Sequence, residues 1–228
     1  MQLRSNARAV TVCLFALLLS SATLSGCNIV GPAVYFIHGP AKVKPQFELP
    51  PDRPAVVFVD DRSNILPSRA VRSRVAKSAE QTLLKGKAVA KSEIISSDAL
   101  LPIATQERFG KPTGIAQAGE LVGAEVVVYA KVESFRLSPD GQQFAPIATA
   151  SVKVVDAKAR NRLWPTAESG EWQTVEASIP TRTGALPRTI SERSLAENEL
   201  ADILGRNIAR LFVEYEAEEV SQRVGGEG

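Results

Sequence analysis

The chain is poor in the residues that most covalent and metal chemistry depends on. Of 228 residues, one is histidine, two are cysteine and one is methionine. A Ser-His-Asp or Cys-His device would have to use His38, and no Gly-x-Ser-x-Gly elbow or Ser-x-x-Lys pair occurs anywhere. One histidine and so little cysteine cannot fill a tetrahedral zinc site, so neither a metal nor another cofactor is expected. Gly86-Lys87 and Gly110-Lys111 lack the glycine five places earlier that a phosphate-cradling loop needs, which excludes a P-loop nucleotidase. No apolar run is long enough to span a bilayer, which takes roughly 20 residues.

The N-terminus carries a charged and apolar pattern of its own. Arg4 and Arg8 precede an apolar run from Ala9 to Leu19, and the small residues Ser20 to Thr23 lead into Leu24-Ser25-Gly26-Cys27. This is the three-part build of an export signal. The last four residues resemble the lipobox of bacterial lipoproteins, in which small residues leave the scissile backbone uncrowded before a cysteine. The resemblance implies cleavage between Gly26 and Cys27, with diacylglycerol on the Cys27 sulfur and a further acyl chain, such as palmitate, on its freed amine. Several acyl chains anchor stably, each buried CH₂ adding about 0.8 kcal/mol. Asn28, which is not Asp, implies by the enterobacterial sorting rule an outer-membrane location facing the periplasm. Cys13 lies within the discarded segment, leaving no disulfide.

Removing 26 residues from 228 leaves 202, enough for one domain with a substantial core. The signal takes two arginines of the 27 basic residues, so basic and acidic residues then balance at 25 each, and nothing supports nucleic-acid binding. Residues 27–53 read as lipid anchor and tether. Six of the 14 prolines fall between Asn28 and Pro54, and a polyproline-like chain extends by about 3.1 Å per residue. Within it, Val34-Tyr35-Phe36-Ile37 can lie in the lipid interface or pack back on the domain. His38, in the same segment, reads as a linker residue.

Residues 54–218 read as one α+β domain, followed by a disordered tail over 219–228. Ala55 to Val59 is an apolar, β-rich run bounded by Pro54 and Asp60-Asp61. Ser68 is placed to cap a helix to Leu84, with Val71, Val75, Ala79 and Leu83 on one stripe and Gly86 as its stop. A strand is expected within Ala88 to Ile95, a helical stretch from a Ser97 cap to Gly110, and a short helix from Thr113 to Val122 closed by Gly123. Glu125 to Ser134, the Ser138-Pro139-Asp140-Gly141 turn and Ala145 to Val155 predict a long antiparallel hairpin. Weaker strands follow at Arg162 to Pro165 and Glu171 to Ile179. A helix from Thr189 to Glu218 is expected to bury Leu195, Leu200, Ile203, Leu204, Ile208, Leu211, Phe212 and Tyr215. The order of elements predicts a two-layer fold, a mixed sheet with helices on one face.

Leu121-Val122-Gly123-Ala124-Glu125 feeding the Val126 to Ala130 strand, with Val154-Val155-Asp156 and Leu163-Trp164 farther on, resembles a family of small envelope domains. It occurs in the curli-secretion lipoprotein, in lipoprotein activators of penicillin-binding proteins and at the N-terminus of the Tol-system β-propeller protein. The resemblance covers roughly residues 55–216 and implies an anticodon-binding-like fold that works by binding and assembly, without a catalytic residue. The turn Asp156-Ala157-Lys158-Ala159-Arg160-Asn161 departs from that family's Asp-Ala-Thr-Gly.

Three features remain open to a functional reading. Asp60 and Asp61, at a strand end, can act as metal or general-base carboxylates in a hydrolase, or simply accept loop amide hydrogen bonds. Trp164 and Trp172 can form a ligand platform or pack in the core. Arg62 to Lys91 holds eight basic residues and one acid, Glu80, whereas Glu192 to Glu219 holds eight acids and three basic residues. These segments can pair with each other, or the basic one can face anionic lipid or polymer. Together the features predict a non-catalytic adaptor or assembly module, held in membrane lipid through Cys27 and bound to a protein or peptidoglycan. An enzyme using Asp60 and Asp61, or a lipoprotein that self-associates through sheet edges, are the alternatives.

Overall fold

The computed structural model describes residues 42–106, 113–179 and 186–217. The signal, Cys27, the tether as far as residue 41 with His38, the end of the helical stretch expected to reach Gly110, the middle of the loop before the last helix and the C-terminal tail lie outside the described residues. From Phe47 on, the expected tether instead packs on the domain: the Phe47 N–H donates to the Leu211 carbonyl and Leu49 is buried in the core.

The chain runs β1 (Lys42–Val43), β2 (Ala55–Asp60), α1 (Arg69–Lys85), β3 (Ile94–Ile95), α2 (Leu101–Gln106), α3 (Ile115–Val122), β4 (Val126–Arg136), β5 (Ile147–Asp156), β6 (Asn161–Trp164), β7 (Gln173–Ser178), α4 (Ile190–Arg210) and β8 (Tyr215–Glu216). β1 and β8 form a small ribbon, and the principal sheet has the order β3-β2-β4-β5-β6. β2 is parallel to both β3 and β4, and β5 is antiparallel to β4. The α+β class, the mixed sheet, the long hairpin and the long C-terminal helix are thus all present. All six residues of β2 are buried, as a central parallel strand covered on both faces requires. β6 and β7 share one edge of β5 end to end: β6 pairs with Val154 to Asp156, and β7 with Ile147 to Val152.

Alternation along the strands divides the core in two. Val57, Val59, Val128, Ala130, Val152 and Val154 face α1 and α4. Val56, Phe58, Val127 and Tyr129 face the other way, where Leu100, Ile103 and Ala118 cover them. The two long helices therefore share one face as expected, and short helices additionally cap part of the opposite face.

α1 begins where Ser68 accepts a hydrogen bond from the Val71 N–H at 3.2 Å, and it buries Val71, Val75, Ala76, Ala79 and Leu83. α4 opens on a capping box of Thr189 and Glu192. The two helices approach closely because α4 presents Gly205 to α1: a Cβ built there would lie 2.3 Å from the Val75 carbonyl oxygen. Ser78 Oγ donates to the Asp202 carbonyl at 2.7 Å, and Arg74 grips the Asp202 carboxylate at 2.9 and 2.7 Å.

Four expectations are corrected. α4 stops at Arg210, not Glu218, because Leu211-Phe212-Val213 is a run of three apolar residues that no single helix face can bury. The chain turns, all three enter the core, and Phe212 meets Trp164 edge-on at 5.5 Å. Leu195 is 71% exposed, since the first turns of α4 project beyond the sheet and burial begins at Ala196. Tyr215, no longer helical, is half-buried in β8 with the Arg210 guanidinium 4.8 Å from its ring centre. The helical stretch after β3 is capped by Ser96, which accepts from the Asp98 N–H, and opens as a 3₁₀ turn (Ser97–Leu100) before α2. The strand expected within Ala88 to Ile95 is present as the two residues of β3, and Val89 ahead of it is buried.

Candidate functional site

β2 ends on Asp60, so the following turn sits at the carboxyl ends of parallel strands, where open sheets place ligand sites. Asp60 is only 3% exposed. Its Oδ2 accepts from the Tyr129 hydroxyl and lies 3.1 Å from Arg62 Nε, while Oδ1 accepts from the Arg62 backbone N–H at 3.1 Å. Asp61 points into its own turn, where it accepts from the Ile65 and Leu66 N–H groups at 2.6 and 3.2 Å. The two carboxylates thus face different partners. Both are used to shape the turn, and Arg62 also reaches the Thr113 carbonyl at 2.9 Å.

Tyr129 links this turn to a larger arrangement. The register pairs Tyr129 with Lys153, Lys131 with Ser151, and Ser134 with Thr149 across β4 and β5. β7 then pairs Ser151 with Thr174 and Thr149 with Glu176, and Trp172 precedes it on the same side of the sheet. Alternation puts all of these side chains on one face; Tyr129, paired with Phe58, is buried at its inner border, and the rows from Lys131 outward lie at and beyond the end of β2. The result is a platform of three rows: Tyr129, Lys153 and Trp172; Lys131, Ser151 and Thr174; Ser134, Thr149 and Glu176.

In the first row Lys153 Nζ lies 3.9 Å from the Trp172 ring centre and 5.7 Å from that of Tyr129, with the two rings 5.9 Å apart. Lys153 makes no ion pair among the described residues. Burial holds its pKa below the usual lysine value; Glu171 opposes that shift and Arg162 adds to it. The ammonium is stabilised chiefly by ring faces, a cation–π arrangement. In the other rows Ser134 Oγ and Thr149 Oγ1 are 2.8 Å apart, and Lys131 pairs with Glu133 at 3.1 Å.

The two tryptophans separate. Trp172 is half-buried at the platform, whereas Trp164 is in the core between Phe47, at 6.2 Å, and Phe212. The basic segment from Arg62 to Lys91 spends many of its charges inside the domain. Arg74 binds Asp202 of α4, Lys77 binds Asp98 at 2.9 Å, and Arg72 donates to the Val59 carbonyl at 2.7 Å. At the opposite end of the sheet Arg53 bridges Glu125 and Asp156 at 3.0 and 2.8 Å. The Asp156 carboxyl is held below its usual pKa by the Ala159 N–H and then by Arg53.

Of the residues to which the sequence points, Asp60, Asp61, Trp164 and Trp172, the fold joins Asp60 to Trp172 through Tyr129. Tyr129 and Lys153 are not marked out by the sequence as site residues. The one available signal was a lysine between Val152 and Val154, in a strand otherwise built of small and apolar residues. Among the described residues no three His, Cys, Asp or Glu side chains are grouped to hold a metal ion, and no helix is long and apolar enough to cross a membrane.

No protein-family model and no curated protein sequence matches the chain. Its structure is similar to a single-substitution variant of the PelC dodecamer from Paraburkholderia phytofirmans, with 15% identity over 76% of this chain and 98% of that one, at a TM-score of 0.40. It is similar to the hypothetical protein CT253 from Chlamydia trachomatis, with 15% identity, coverage of 77% and 99% and a TM-score of 0.40. It is also similar to the lipoprotein GNA1162 from Neisseria meningitidis, with 11% identity, coverage of 66% and 94% and a TM-score of 0.36.

Proposed function

We propose that the chain is a lipid-anchored envelope lipoprotein whose domain serves as a non-catalytic binding or assembly module, on the outer membrane and facing the periplasm. One observation carries the reading of the domain: its open polar site is a sheet face, while the two carboxylates at the end of β2 hold the turn together. Both oxygens of Asp60 are taken by Tyr129 and Arg62, and Asp61 is closed on its own turn. A general base needs a free lone pair within reach of a substrate proton. A module that binds other envelope components needs a surface, which the platform supplies. The anchor rests on Leu24-Ser25-Gly26-Cys27, and the outer-membrane location on Asn28.

Replacing Cys27 with Ser tests the anchor. The wild-type protein partitions into the detergent phase and carries the added mass of acyl chains, and the variant loses both; equal partition and mass in the two would refute the lipoprotein reading. Asp60→Asn tests the domain. It weakens the Tyr129 and Arg62 contacts, so a binding module loses stability in step with whatever function it loses, whereas function abolished at wild-type stability points to an enzyme.

A further inference from the structure

We infer that the open face of β4, β5 and β7 binds an acidic polysaccharide, with Lys153 receiving its carboxylates. The inference rests on the reading of the domain as a binding module and names the chemistry of its ligand.

Lys153 is half-buried and has aromatic rings where an ion pair would ordinarily be. An ammonium kept partly out of water with no direct ion pair is a standing site for an anion; the field of Glu171 offsets part of that pull and Arg162 adds to it. Next to it the surface is lined with hydroxyls. Ser151 and Thr174 are directly cross-strand, and Ser134 and Thr149 lie one row farther on. Rows on one face repeat about every 6.8 Å along a strand, and neighbouring strands are about 4.8 Å apart. A grid of short donors and acceptors at that pitch suits a chain of sugar hydroxyls, with Trp172 at its border to meet the C–H face of a ring. Glu176 in the last row repels carboxylates, so the polymer is confined to the rows of Lys153 and Lys131.

An acidic peptide fits less well. Extended peptides are held by sheet edges and side-chain pockets, and the outer edge of β7 is already met by α4, whose Asn207 side chain donates to the Glu176 carbonyl at 2.8 Å.

The test uses the protein purified in detergent from the cells that make it. Oligogalacturonate is titrated by calorimetry, with neutral maltodextrin and poly-L-glutamate in parallel. The expected result is saturable binding of oligogalacturonate, none of maltodextrin, and weaker binding of poly-L-glutamate. Lys153→Met, which keeps the aliphatic stem against Trp172, weakens binding about tenfold, the loss of one charge-assisted contact. Lys153→Arg restores most of it, and Lys91→Met, on an exposed lysine outside the platform, changes nothing. Thermal melts confirm that each variant is folded; should Lys153→Met not fold, Ser151→Ala and Trp172→Leu take its place, each expected to weaken binding. Equal affinity for poly-L-glutamate and oligogalacturonate, binding indifferent to these substitutions, or no binding of oligogalacturonate would overturn the proposal. A negative result with lipidation intact leaves the lipoprotein reading standing, because Cys27→Ser tests that separately.

Discussion

Replacing Gly205 with Ala probes the tightest contact of the α1–α4 pair. A Cβ there would stand 2.3 Å from the Val75 carbonyl oxygen, 2.7 Å from Ser78 Cβ and 3.0 Å from the Ala79 nitrogen. Two of these three atoms are backbone, so no side-chain rotation relieves the clash and the helices must move apart. Overpacking of a core costs about 1 to 3 kcal/mol, and immovable neighbours put this case at the upper end. Alanine is better than glycine inside a helix by about 1 kcal/mol, which offsets part of the loss. The net expectation is a loss of about 2 kcal/mol, or about 4 to 8 °C in Tm for a domain of this size. Separation would also stretch the Ser78–Asp202 and Arg74–Asp202 contacts, so the estimate is not inflated by neglecting a compensating gain. Differential scanning calorimetry measures it directly. Gly114→Ala is the steric control, since nothing lies within 4 Å of its Cβ position and any loss there is limited to alanine's weaker N-cap preference at the start of α3. A Gly205→Ala protein that melts at or above the wild-type temperature would refute the packing of α4 on α1.

Three other perturbations test separate parts of the fold. Burial raises the Glu80 pKa while the hydrogen bond from the Ser97 N–H pulls against it. The neutral form is thus favoured in the fold: the stability it contributes is complete below the ordinary glutamate pKa and is lost as pH rises through the folded value. Glu80→Gln keeps an acceptor for the Ser97 N–H, so it should be more stable than wild type at pH 7, with the gain shrinking toward about pH 4; an advantage equal at both pH values argues against it. Asp156 and Glu125 have lowered pKa values, so their contribution is present above the ordinary carboxylate range and lost as pH falls through the folded values. Arg53→Ala removes a shared cause of both shifts and should move the acid-unfolding midpoint to higher pH; an unchanged midpoint in a circular-dichroism titration would show that the bridge contributes nothing. Ending the chain at Pro187 removes Leu200, Leu204 and Ile208, all fully buried and each worth about 1.5 to 3 kcal/mol, and should leave an insoluble or molten product. Ending it at Glu219 should leave a cooperative thermal transition, and a cooperative melt of the shorter chain near the wild-type temperature would place α4 outside the core.

What was legible in the sequence is what short-range chemistry decides. Ser68 opens α1 because a side-chain cap acts within one turn of the residues it satisfies, and Gly86 closes it at φ −78, its missing Cβ leaving room for Val213. Gly123 closes α3 in the left-handed region, at φ +79, which a glycine adopts without strain. The β4–β5 hairpin announces itself through alternation on both arms. The end of α4 was misplaced for the complementary reason. Leu211, Phe212 and Val213 extend a plausible helical pattern, and only the presence of Trp164 and Phe47 shows that the core has room for all three off the helix axis. Leu195 fits the periodicity of the buried stripe equally well, but the sheet stops short of it.

The platform was out of reach because it depends on register between distant segments. Lys153 meets Tyr129 across 24 positions of sequence, and Asp60 meets Tyr129 across 69. Trp172 joins them only because β7 passes β6 and returns to β5. A one-residue slip in either pairing would send Lys153 or Trp172 to the opposite face. The same alternation that fills the α1–α4 side of the sheet with Val152 and Val154 therefore fixes Lys153 on the open side. Its position is a consequence of the core, and a substitution that kept the core would leave the platform's geometry intact. For that reason Lys153→Met and Lys153→Arg should melt close to wild type while differing from each other in ligand affinity, which separates a surface kept for binding from one kept for folding.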